Sequence, residues 1–103
     1  MANRYAHLNE PDDTLDFHGR GRLTSGDVKQ ATESFVTAAH KRGCARVRII
    51  TGKGLHSAGA PKVKPQVERT LAQLEARGLV ASYRPERRDR GGEGAFFVIL
   101  TTS

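Results

Sequence analysis

The chain has one cysteine, no tryptophan, and only two tyrosines and four phenylalanines among 103 residues. Cys44 alone excludes an internal disulfide and suits a reducing compartment. Between Gly43 and a strand-like run, it reads as a small core filler rather than a reactive thiol. One cysteine and four dispersed histidines (His7, His18, His40, His56) do not supply the ligand spacing of a zinc site. Aromatic side chains are scarce, and Phe17, Phe35, Phe96 and Phe97 are mostly owed to a core, which argues against sequence-specific reading of single strands by stacking. No apolar run approaches the roughly 20 residues that span a bilayer, and the polar N-terminus, interrupted by Pro11, is no signal peptide. The chain reads as cytoplasmic, with no membrane partner. Internal repeats of solenoid length and low-complexity tracts are also missing, one arginine-rich stretch aside.

Acidic residues are in short supply too. Seventeen Lys and Arg against eleven Asp and Glu leave a net charge of +6 and a pI near 10.1. That balance points to a polyanionic partner, nucleic acid first. The length is that of one domain with one core.

The apolar spacing predicts a βαβαββ order. Leu15–His18 reads as a strand with Leu15 and Phe17 on one face and Asp16 and His18 on the other. Thr24 or Ser25 can cap a helix whose Val28, Ala31, Thr32, Phe35, Ala38 and Ala39 recur at helical spacing. Asp27 favours its positive end, and Gly43 ends it. Arg46–Ile50 is a second strand, followed by a glycine-rich loop over 51–61. A second helix is expected from about Lys64 to Arg77, with Pro65 in its first turn, Val67, Leu71 and Leu74 as its stripe and Gly78 as its stop. Residues 79–83 form a third strand, 84–94 a charged loop and 95–100 a fourth strand, apolar on both faces and therefore central. Strand–helix–strand units are parallel and right-handed, so the first two strands should end at one edge of the sheet, where open α/β sheets bind ligands.

Two phosphate motifs fail by counting. A P-loop needs glycine where Val47 stands and Ser or Thr where Gly54 stands, and the dinucleotide fingerprint needs glycine at Thr24 or Ser57. What is present is Leu15–Gly19 (LDFHG), Thr51–Gly54 (TGKG) and Gly91–Ala95 (GGEGA), each at the end or start of an expected strand. These three runs, in this order, resemble the L-D-x-H-G, [TH]-G-x-G and G-G-x-G-A motifs of the small MutS-related, or Smr, domain, over about residues 14–101. The loop before the second helix and residues 84–94 are more similar to the stand-alone bacterial members. On this resemblance residues 1–13 are an N-terminal arm and 14–103 the Smr domain. The resemblance implies an α/β two-layer sandwich, a four-stranded mixed sheet with two helices packed on it, similar to the C-terminal domain of translation initiation factor three. It also implies an endonuclease that nicks DNA, often branched, or cleaves RNA, including messenger RNA on stalled ribosomes; some members only bind. The partners to expect are DNA or RNA, and the ribosome.

Phosphodiester cleavage needs a proton acceptor, a proton donor and positive charge at the phosphate. Histidine is the side chain whose intrinsic chemistry suits proton exchange near neutral pH, which makes His18 the candidate, and Asp16, two residues earlier, could orient its imidazole or hold a divalent cation, Mg or Mn. Orientation is the reading preferred here, with no metal ligand assigned and the endonuclease expected to be metal-independent or weakly dependent on such a cation. The competing reading is that both residues only close the strand by backbone hydrogen bonds. Gly19, Thr51, Gly52 and Gly54 suit close backbone approach to an anion, with the amides of Gly52 and Gly54 free to donate, and Lys53 adds a point charge. Arg20 and Arg22 follow His18 closely enough to meet a phosphate. Arg84, Arg87, Arg88 and Arg90 could track a sugar–phosphate backbone farther away. Arg46 and Arg48 share one face of their strand, which implies a face not fully covered. The alternative to an enzyme is a non-catalytic nucleic-acid- or ribosome-binding module on the same surface.

Overall fold

A computed structural model describes residues 11–17, 23–52, 63–89 and 92–101. Six elements follow one another: β1 (Asp13–Asp16), α1 (Ser25–Lys41), β2 (Arg46–Ile50), α2 (Val63–Ala76), β3 (Val80–Asp89) and β4 (Gly92–Leu100). They build one four-stranded mixed sheet in the order β1-β2-β4-β3. β1 and β2 are parallel, and β4 runs antiparallel to both β2 and β3. This is the expected α/β architecture. Both crossovers, through α1 and through α2, step across the sheet in the same direction. With the usual right-handed connection, that puts both helices on the same face.

The helical face holds the core. Leu15, Val47, Ile49, Phe96 and Val98 from the strands meet Val28, Val36 and Ala39 from α1 and Val67, Leu71 and Leu74 from α2. Strand alternation follows the cross-strand register. Leu15, Ile49 and Phe96 pair in one row, while the neighbouring row Thr14, Arg48, Phe97 and Arg84 faces away from the helices. Cys44 packs, half-buried, against the core, as a filler should. No described helix is long and apolar enough to cross a membrane.

α1 begins with a reciprocal cap. Thr24 is the N-cap: its side chain accepts from the Asp27 amide at 3.0 Å, and the Asp27 carboxylate accepts from the Thr24 amide at 3.0 Å. Both helices stop at a glycine with positive φ, Gly43 at 82° and Gly78 at 85°. There the chain folds back, Cys44 N–H onto Ala39 O and Leu79 N–H onto Leu74 O, each at 3.0 Å. In α2, Pro65 stands in the first turn, where a missing N–H costs no helical bond.

Two expectations need correction. β1 starts at Asp13, two residues before the apolar signal. The backbone amide of Asp12 donates to Arg46 O at 2.7 Å, and its carboxylate accepts from the amides of Ala45 at 2.7 Å and Arg46 at 3.2 Å. Arg42 reaches the Asp13 carboxylate at 2.7 Å. A polar run that looks like arm is thus tied to β2 by its own acids. His18 and residues 1–10 lie outside the described residues. The second correction concerns residues 84–94. β3 continues through Arg84, Pro85, Glu86, Arg87 and Arg88 to Asp89, and β4 starts at Gly92, so most of the expected loop is a hairpin. Pro85 is tolerated because β3 is an edge strand, and register shifts at Glu86/Arg87 and Arg87/Asp89 absorb the irregular sequence.

Hydrogen-bond donors hold two carboxyls below their ordinary value of 3.8: Asp12 through the backbone amides of Ala45 and Arg46, Asp27 through the backbone amide of Thr24 and then its side chain. A depressed folded value means that the stabilisation is complete above 3.8 and is lost as pH falls through the lower folded value. The urea midpoint is therefore expected to drop below pH 4 on acidification, and Asp12→Asn to flatten that drop. Thr24→Ala should cost about 1 kcal/mol in urea unfolding at neutral pH.

Candidate functional site

The parallel β1–β2 pair and the antiparallel β4 bring four chain segments to one edge. There a single cross-strand row runs Asp16, Ile50, Ala95, Glu86. β1 and β2 end side by side, and the Phe17 amide still donates to Ile50 O at 2.8 Å. Asp16 is exposed at the end of β1, whereas Phe17, on the opposite face, is buried.

Beyond Ile50 the chain turns at Thr51 and Gly52. Both amides donate to one acceptor, Gly94 O, at 2.7 Å from Thr51 and 3.2 Å from Gly52. A carbonyl oxygen has two lone pairs, so it can serve both. The Thr51 hydroxyl donates to Gly52 O at 3.3 Å, and Thr51 itself is buried. Gly52 has φ of 84°, a left-handed conformation that a Cβ would strain. The central glycine bend is thus locked to the glycine run that opens β4, and the Gly52 amide is already engaged rather than free to meet an anion.

Arg84 is exposed on β3, with its guanidinium 5.3 Å from the centroid of Phe97. Arg87 and Arg88 lie on the backbone of β3, not in a loop. His18, Gly19, Arg20, Arg22, Lys53, Gly54 and Arg90 lie outside the described residues. The structure therefore brings together Asp16, Thr51, Gly52 and the start of β4, and puts Arg84 on the same helix-free face, away across the sheet.

Two features were not picked out from the sequence. One is the acceptor role of Gly94, for which the only trace is the glycine run itself. The other is an ion pair in which Arg48 Nε and Nη2 grip the two oxygens of Glu86 at 2.6 and 3.1 Å. β4 lies between their strands, so the pair crosses it between Phe97 and Ala95, where alanine offers only a methyl group. Period-two alternation marked Arg48 as facing away from the core, but no local signal could name a partner thirty-eight residues away.

The fit of a divalent cation can be tested on the donors. Among the described residues no three of His, Cys, Asp and Glu come together. Asp16 and Glu86 share a row but stand three strand spacings apart, about 14 Å. Those donors do not form a cage.

The Smr domain family model matches residues 15–101. An uncharacterised protein of Treponema pallidum (strain Nichols) is 34% identical over 93 residues, which cover 90% of this chain and 43% of that protein. The chain thus spans less than half the length of this relative. The crystal structure of the Smr domain of Thermus thermophilus MutS2 superposes with a TM-score of 0.67 at 20% identity, covering 86% of this chain and 98% of that one, a likeness of fold.

Gly52→Ala tests the locked bend. It should lower stability by about 1–2 kcal/mol, the cost of a Cβ in the left-handed region. Hydrogen exchange at the Thr51 amide should accelerate with it; unchanged exchange would mean that Gly94 does not hold the turn.

Proposed function

Since the chain belongs to the Smr domain family, whose members include nucleases and nucleic-acid-binding proteins, we propose that it is an endonuclease acting on structured nucleic acid, with Asp16 and His18 as its acid–base pair. The observation that supports this is the convergence at one sheet edge of the end of β1, the Thr51–Gly52 bend and the start of β4. The net charge of +6 supplies the attraction for a polyanion.

His18 stands two positions after Asp16 in the sequence, and in this reading the carboxylate would orient the imidazole. On RNA, the imidazole takes the 2′-hydroxyl proton, the freed oxygen attacks phosphorus, and the P–O bond to the 5′-oxygen breaks as that oxygen takes the proton back from the imidazolium, leaving a 5′-hydroxyl. The product is a 2′,3′-cyclic phosphate. DNA lacks this internal nucleophile and needs an activated water, more often with a metal. Because the described carboxylates form no cage, the reading leans towards RNA or slow nicking of DNA. Arg20, Arg22 and Lys53 would neutralise the phosphate, and the arginines of β3 would meet the backbone farther along.

A second reading is a binding module without catalysis. It would use the same surface, and under either reading the engaged amide of Gly52 leaves the bend one donor fewer for a phosphate.

Purified protein is to be incubated with labelled DNA junctions and structured RNA beside His18→Ala and Asp16→Asn. For an enzyme, His18→Ala retains binding and loses at least a hundredfold in rate, the usual worth of general acid–base catalysis. Asp16→Asn should lose less. Identical products from wild type and His18→Ala would remove the enzymatic reading and leave the binding module. RNA with methylated 2′-hydroxyls separates the nucleophiles, since undiminished cutting would exclude the internal one.

A further inference from the structure

We infer that Arg48 is a phosphate-binding residue held in reserve by Glu86, whose carboxylate occupies the guanidinium until a nucleic-acid phosphodiester replaces it. This rests on the reading that the adjoining edge binds nucleic acid.

The geometry of the pair is the first support. Arg48 presents Nε and Nη2 as a fork to the two carboxylate oxygens at 2.6 and 3.1 Å. Two non-bridging phosphate oxygens accept the same fork.

Position is the second. Arg48 pairs with Thr14, and Asp16 pairs with Ile50, so Arg48 and Asp16 share the helix-free face as diagonal cross-strand neighbours. Such neighbours are about 7–8 Å apart, within the reach of an arginine. A phosphodiester lying along that edge passes over both. Glu86 closes the row that begins at Asp16, which puts the competing carboxylate on the path of the same backbone.

Access is the third. The side chains of Arg48 and Glu86 keep 19% and 24% of their exposure, so the pair can open without unpacking the core on the other face. Exchange of one monoanion for another leaves the arginine equally neutralised, and the released carboxylate hydrates on an edge strand. Arg84, in the same row and laid over Phe97, adds a second cation two strands from Arg48.

The test reads binding rather than cleavage. Affinities for a fluorescein-labelled DNA four-way junction and a labelled RNA hairpin are to be measured by anisotropy across a KCl series. The proteins are the wild type, Glu86→Gln, Arg48→Gln and the double variant. Glu86→Gln should bind about tenfold more tightly, the size of one charge-assisted contact. Its plot of log K against log salt should steepen by roughly 0.7–0.9, one more phosphate neutralised. In the Arg48→Gln background the same change should do nothing. A gain that persists there comes from long-range charge alone and overturns the inference, as does no gain at all. A wild-type measurement does not depend on the variants folding: the Arg48 Nε–H resonance should move as the junction is titrated in. If the protein binds and that resonance stays still, this inference falls by itself. If the protein neither binds nor cuts either probe, the reading of the edge falls with it.

Discussion

Both crossovers of this chain are β–α–β units, and both step the same way across the sheet, from β1 to β2 and from β2 over β4 to β3. Their shared right-handedness has two consequences at once. It stacks α1 and α2 on one face, which produces a two-layer molecule and leaves the other face without a described helix. It also points the three parallel strands the same way, so that their C-terminal ends, joined by the start of β4, form a single edge. The location of the candidate site and the polar character of the open face both descend from this one chirality.

At that edge the contacts are mostly made by backbone. The Thr51 and Gly52 amides share Gly94 O, and the Phe17 amide holds Ile50 O. Glycine enters here because of geometry: Gly52 has to adopt a positive φ, and Gly94 is buried where the bend closes on it. Three sequence runs that share no side-chain chemistry thereby become one constellation, with Asp16 as its described carboxylate. What the site can do chemically rests on side chains, but where it lies rests on main-chain hydrogen bonds.

The arginines show why bulk charge is a coarse guide. Arg42 clamps Asp13 at the start of β1, Arg48 is forked onto Glu86, and Arg84 is laid on Phe97. A net charge of +6 counts them alike, although they stand in different relations to solvent. The helix ends, by contrast, were legible locally: Thr24 with Asp27 caps α1, and Gly43 and Gly78 close the two helices, because each effect reaches only one turn of chain. The extent of β3 is not legible locally, for the opposite reason. Residues 84–89 carry charges and a proline that oppose a strand in isolation, and pairing with β4 overrides them.

The sequence by itself determined the order of elements, the helix termini, the central position of the doubly apolar β4 and the family motifs, since these follow from periodicity and short-range chemistry. Only the tertiary structure decided that β1 reaches back to Asp13, that the charged stretch continues β3, that Gly94 receives both amides of the bend and that Arg48 belongs to Glu86. Each of those joins residues from separate strands, and which strands become neighbours is set by how the crossovers pack, a long-range outcome that local spacing does not encode.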